Sequence, residues 1–186
     1  IEVFKIGEQL VGTKTDEQGN IQFVYDKLPV DGATFILEAD EDIYSADNQK
    51  DLIYSKRQKI EELTTENGYA ISKDLPLGKY SIYEKTAGDG FVLNKEVKHI
   101  ELKYENENIP IVFENIDYEN QRQKVDLNVI KKDKETDTLL KGAVFGLYAS
   151  EDIYGIENAT RSMTLLIEKG TLIETATTDE NGKAVF

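Results

Sequence analysis

The chain has 186 residues, enough for one domain or two small ones at about 100–200 residues per domain. Its 36 acidic and 22 basic residues leave a net charge of −14, which repels phosphate backbones and anionic lipid and argues against a nucleic-acid or membrane-surface partner. The absence of Cys and the single His exclude disulfides, thiolate metal sites, cysteine nucleophiles and His-rich metal centres, and no cofactor is implied.

Ten Tyr and seven Phe with no Trp favour sheet over bundle, and the predicted elements follow suit. Phe4 and Ile6, then Ile21 and Phe23, then Phe35 and Leu37 lie in short alternating runs, the period-2 signal of half-buried strands. The cluster Asp16-Glu17-Gln18-Gly19-Asn20 is a turn between the first two runs. Short helices are expected at Glu41–Tyr44 and within Asn48–Leu63, where Leu52, Ile53, Ile60 and Leu63 are partly periodic. Glu66-Asn67-Gly68 is a hairpin turn, Tyr80 and Ile82 mark a strand, and Ala87–Gly90 is another turn. His99 falls in the charged strand-like stretch Lys95–Glu101 and is read as a surface residue. Ile111 with Phe113, and Leu127 with Val129, complete the alternating runs on either side of Gln121-Arg122-Gln123-Lys124, a short junction with no Gly or Pro. Short strands separated by turn clusters predict an all-β sandwich. No apolar run approaches the roughly 18–20 residues of a membrane span, so no membrane insertion is expected of this segment.

An internal repeat sets the domain organisation. Gly32–Tyr44 reads GATFILEADEDIY and Gly142–Tyr154 reads GAVFGLYASEDIY, identical at nine of thirteen positions without a gap. The Thr64–Ala70 hairpin is echoed at Thr177–Ala184 with one residue inserted. Two tandem units are therefore expected: residues 1–123 as a complete sandwich and 124–186 as the N-terminal half of a second one.

Strand parity places three polar residues on apolar faces. Lys5 shares a face with Ile1 and Val3, Glu84 with Tyr80 and Ile82, and Asn120 with Ile116 and Tyr118. In the second unit Lys131 shares a face with Leu127 and Val129. A Lys driven neutral by an apolar interior becomes a nucleophile, a Glu there relays a proton, and an Asn carboxamide offers an electrophilic carbon with ammonia as leaving group. The plainer reading, that these strand ends reach solvent, stays open on parity alone. So does a rival for the Asn, since Asn115 shares a face with Ile111 and Phe113.

Five motifs in order carry a family resemblance: Ile130-Lys131-Lys132-Asp133, Gly142-Ala143-Val144-Phe145-Gly146-Leu147, Gly68-Tyr69-Ala70, Leu75-Pro76-Leu77-Gly78-Lys79-Tyr80 through Glu84, and Gly90-Phe91. The chain resembles the B-type repeat domains of the staphylococcal collagen adhesin and the related SpaA-like domains of Gram-positive pilins. The resemblance implies an immunoglobulin-like, prealbumin-type sandwich closed by a self-formed Lys–Asn isopeptide bond. Carried over, Lys5 is the nucleophile, Glu84 the proton shuttle and Asn120 the electrophile, with Asn115 as the alternative. Phe4-Lys5-Ile6-Gly7 lacks the family's Asp two residues after the Lys. Lys131 occupies the nucleophile position of the second unit, whose Glu and Asn are expected beyond Phe186. Were the chain to stop there, that half is expected to be mobile or completed by a neighbouring molecule's strand, with Lys131 a free amine.

Other constellations are weaker. Asp40-Glu41-Asp42 with Asp47 lacks the Asp-Xaa-Asp-Xaa-Asp-Gly order of a calcium loop, and Asp179–Gly182 repeats a hairpin turn, so no metal site is read. Without Trp there is no sign of an aromatic cleft for glycoside hydrolysis. The expected function is a structural stalk module of a cell-wall-anchored adhesin or pilin-like protein on the bacterial surface, with adjacent repeats as partners and no enzymatic turnover. The alternative is a ligand-binding module that contacts a host protein or glycan through Asn48–Leu63.

Overall fold

The computed structural model describes residues 1–45, 51–106, 108–109 and 112–186. Among them there is no helix, and hence none long and apolar enough to cross a membrane. The strands are β1 (Glu2–Thr15), β2 (Ile21–Pro29), β3 (Thr34–Ala39), β4 (Ile43–Tyr44), β5 (Leu52–Tyr54), β6 (Lys59–Thr64), β7 (Tyr69–Ile71), β8 (Gly78–Thr86), β9 (Val97–Leu102) and β10 (Asn115–Asn120). Then follow β11 (Asn128–Ile130), β12 (Val144–Tyr148), β13 (Ile153–Ile156), β14 (Met163–Ile167), β15 (Leu172–Thr177) and β16 (Lys183–Val185). Contacts divide the chain into one unit of Ile1–Glu8 with Lys27–Gln123 and a second of Gln9–Asp26 with Lys124–Phe186.

In the first unit two sheets face each other. One runs β10-β1-β2 with β7 also on β1, and the other runs β6-β3-β8-β9. Alternation delivers one apolar face from each: Val3, Ala70, Ile116 and Tyr118 from the first, Phe35, Leu37, Leu63, Tyr80, Ile82, Ile100 and Leu102 from the second. Strands β1 and β10 pair in parallel, with Lys5 opposite Tyr118 and Gly7 opposite Asn120.

The second unit repeats the pairings of β1 with β7, β3 with β6 and β4 with β5: β11 pairs β16, β12 pairs β15 and β13 pairs β14, with no strand among the described residues between β11 and β12 to match β2. Its core gathers Ala149, Ile167 and Ile173, with Leu147, Ile153 and Leu166 packed against them. Ile21 and Phe23 complete the cluster from the β1–β2 hairpin.

The expected helices are not formed. Glu41–Tyr44 enters β4, and residues 51–64 give β5 and β6, while 46–50 lie outside the described residues. The reason is pairing: Ile43 sits opposite Tyr54, and Leu37 and Phe35 opposite Glu61 and Leu63, so ladder hydrogen bonds and burial override a weak helical spacing. Phe113 lies outside any strand and is exposed, and Ile111 is not among the described residues.

Candidate functional site: a buried Lys–Glu–Asn cluster

Strand β1 carries Lys5 inward behind Ile1 and Val3, while Phe4 faces out. Its main chain is held on both sides: the Lys5 N–H donates to Gly68 O at 2.7 Å and Val30 N–H donates to Lys5 O at 3.0 Å. Gly68 belongs to the two-residue turn Asn67-Gly68, with φ of 52° and 73°, a left-handed pair that closes a tight hairpin. A Cβ at Gly68 would stand 2.6 Å from Lys5 O, so this close approach also needs glycine. The Asn-Gly turn legible in the sequence therefore fixes where the Lys5 backbone sits.

Glu84 comes from β8, opposite Phe35, and Asn120 from the last position of β10. All three polar residues are interior, with Lys5 0 %, Glu84 4 % and Asn120 1 % exposed. Glu84 lies between the other two. Its Oε1 is 3.6 Å from Lys5 Nζ, and Asn120 Nδ2 donates to Oε1 at 2.9 Å and to Oε2 at 2.8 Å. Lys5 Nζ also donates to Ile6 O at 3.1 Å. Asn120 Oδ1 is buried with no hydrogen-bond partner, a cost of about 1–3 kcal/mol for an unsatisfied acceptor.

Burial pushes the Lys5 amine below its ordinary pKa, and the Glu84 charge and hydrogen bond pull against it. Phe35 and Tyr118 wall the cluster, their rings 4.8 Å apart and tilted by 50°. Tyr118 donates its hydroxyl to Ile82 O at 2.7 Å, which satisfies the one polar atom of that wall. The buried site thus holds an amine whose pKa is lowered by burial, and a carboxyl within reach of both that amine and a carboxamide.

Two contributors escaped the sequence reading. Asn94 donates its main-chain N–H to Glu84 Oε2 at 2.7 Å, while its side chain reaches Glu119 O at 3.3 Å and its Oδ1 accepts from Glu96 N. That loop is stapled to the end of β10, with Val92 N–H donating to Gln121 O and Gln123 N–H to Gly90 O. Thr65 is the other: it is buried, accepts from Ala33 N–H at 3.1 Å and donates to Val30 O at 2.8 Å, tying the segment that holds Lys5 O. Thr178 makes the same latch in the second unit with Ala143 and Leu140.

Asn115 stands apart, exposed at the start of β10 and opposite Glu2. Lys131 is exposed, although its backbone repeats the Lys5 cradle, donating to Gly182 O and accepting from Leu140 N–H. Thr178 is the buried polar side chain of the second unit, and no buried carboxylate faces Lys131 among the described residues. His99 is on the surface, 2.5 Å from Asp40 Oδ2. The acidic runs serve turns: Asp42 accepts from Lys56 N–H and Asp179 from Asn181 and Lys183 N–H. Asp47 lies outside the described residues.

Paired sheets, tandem repeats and an interior polar cluster at the sheet ends define a prealbumin-like β-sandwich protein. The SpaA prealbumin-like fold domain matches residues 9–117 and again 125–186, and the chain belongs to that family. No curated protein matches it. Among solved structures, the Bacillus anthracis TIE protein is 24 % identical over 100 % of this chain and 25 % of its own, with a TM-score of 0.59. A streptococcal ancillary pilin is 18 % identical, covering 100 % of this chain and 49 % of its own, with a TM-score of 0.39. The shaft pilin SpaA from Lactobacillus rhamnosus GG is 17 % identical, covering 98 % and 78 %, with a TM-score of 0.38. The chain thus spans about a quarter and about half the length of the first two.

Proposed function

We propose that this chain is a stalk module of a Gram-positive surface protein, of the adhesin or pilin type and anchored to the cell wall, stabilised by a Lys5–Asn120 isopeptide bond. The observation that carries this reading is the shared burial of Lys5, Glu84 and Asn120 with Glu84 between the other two. In the reaction the Lys5 Nζ lone pair adds to Asn120 Cγ. Glu84 takes the proton released from Nζ and passes it to Nδ2, the Cγ–Nδ2 bond breaks, and ammonia leaves. One amide replaces another with no outside reactant, and the mass falls by about 17 Da. The amine ends as a neutral amide, a group that can no longer take up charge in an interior that penalises it.

The value of the bond lies in the topology. β1 and β10 are parallel neighbours, so pulling on the start of one and the end of the other loads their hydrogen-bond ladder in shear. A covalent bond from Lys5 to Asn120 carries that load directly and leaves the intervening fold unstretched. One self-reaction per chain is not turnover, so the module is not an enzyme. A contact with a host protein or glycan is the second reading, favoured by Tyr44, Leu52 and Ile53, which are exposed on the β4–β5 hairpin.

Proteolysis of the folded protein followed by tandem mass spectrometry tests the proposal. The expected product is a branched peptide joining the Lys5 and Asn120 segments. Two linear peptides with an intact Lys5 amine would overturn it, and a branch at Asn115 would reassign the electrophile.

A further inference from the structure

The β1–β2 hairpin is longer than the first unit requires. Between Lys5 and Gly32 the chain spends 27 residues, whereas the equivalent path from Lys131 to Gly142 takes 11. The extra length, Gln9–Asp26, belongs with the second unit. Its tip is a tight turn in which Asp16 accepts N–H groups from Gln18 at 3.0 Å and Asn20 at 2.8 Å. Beyond that turn Ile21 and Phe23, together with Leu147, Ile153 and Leu166, pack against the cluster of Ala149, Ile167 and Ile173. Two polar contacts flank this apolar seat: Thr175 N–H donates to Asn20 Oδ1 at 3.2 Å, and Asn158 Nδ2 donates to Asp26 Oδ2 at 3.1 Å.

The face so covered is an inner one. At the repeat offset of 110, Leu147, Ala149 and Ile153 correspond to Leu37, Ala39 and Ile43, which are 0 %, 1 % and 2 % exposed in the core of the first unit. One position shows that the fit is particular to the second repeat. A Cβ at Gly155 would stand 2.9 Å from the Leu10 carbonyl oxygen and 2.4 Å from Leu166 Cδ1. The first repeat has Ser45 at the corresponding place. Glycine thus stands where a side chain would press on the hairpin backbone, and a leucine tip can swing aside more readily than a strand carbonyl.

We propose that residues 9–26 form a docking arm whose partner is the inner face of the second repeat in the same chain. Ile21 and Phe23 supply the apolar cover, Asn20 and Asp26 set the register, and Gly155 admits the arm's backbone. The second repeat's order then depends on a hairpin that continues the strands around Lys5. No residue of the Lys5–Glu84–Asn120 cluster takes part, so the arm stands or falls independently of the crosslink.

Hydrogen exchange read by mass spectrometry on the full chain tests the arm, using Ile21→Ser/Phe23→Ser and, separately, Gly155→Ser. Amides of residues 144–156 and 163–177 are expected to lose protection about tenfold or more in both variants. Those of residues 34–39, 78–86 and 97–102 are expected to keep it. Unchanged protection in the second unit would overturn the proposal, as would an equal loss in both units, which would make the hairpin a general support of the first. Protection that rises with protein concentration alongside a dimer on size exclusion would also overturn it, because the arm would then serve a second copy.

Discussion

Replacing Lys5 with Met and Glu84 with Gln together isolates the contribution of the Lys5–Asn120 bond. Met fills the volume of the lysine stem without an amine, and Gln keeps an acceptor for the Asn94 N–H at 2.7 Å without a charge. No unpaired ion is left in the interior, so the loss reads the crosslink rather than a stranded carboxylate. The bond closes a loop of about 115 residues, and loop-closure entropy by analogy with a disulfide sets its stabilisation at roughly 4–5 kcal/mol. At about 4–8 °C per kcal/mol for a unit near 100 residues, the first-unit transition should fall by roughly 15–40 °C in differential scanning calorimetry. A double variant melting within about 3 °C of the parent would refute the reasoning, since no loop would have been opened.

Glu84→Ala should fold yet keep its full calculated mass, because the proton has no carrier between Nζ and Nδ2; a complete loss of ammonia in that variant would move the shuttle elsewhere. Thr65→Val strands the Ala33 N–H and the Val30 carbonyl and should destabilise the first unit by about 1–3 kcal/mol in urea titration, whereas an unchanged midpoint would deny the latch a role. The Asp16 carboxyl is raised by desolvation, but hydrogen bonds from Asn20, Gln18 and Gln22 outweigh this and hold it below its ordinary value of 3.8. Its stabilisation of the hairpin tip is therefore present above pH 3.8 and lost as pH falls through the lower folded value. Amide exchange at Gln18 and Asn20 should rise in that acid window, and equal acid sensitivity in Asp16→Ala would contradict it.

How much of this was legible in the sequence depends on whether the cause is local. Parity is local, and it put Lys5, Glu84 and Asn120 on inner faces that the structure brings together. The Asn67-Gly68 turn is equally local. Residues 51–64 look partly helical by apolar spacing, and only the partners of β5 and β6 make them strands. Ile21 and Phe23 alternate identically whichever core they enter, so parity gives no hint that they join Ile173 rather than Val3. The Asn94 contact is made by a main-chain N–H, which no side-chain pattern records. Thr65 reads as an ordinary turn residue until the carbonyl of Val30 is found beside its hydroxyl.

The account turns on whether the amine of Lys5 has been consumed, and the intact mass of the folded protein tests that most directly. The predicted value lies about 17 Da below the calculated mass of the chain, one ammonia lost for the Lys5–Glu84–Asn120 cluster, with the full calculated mass of the variant found for each substitution at Lys5 or Asn120. A folded chain weighing its full calculated mass would contradict it.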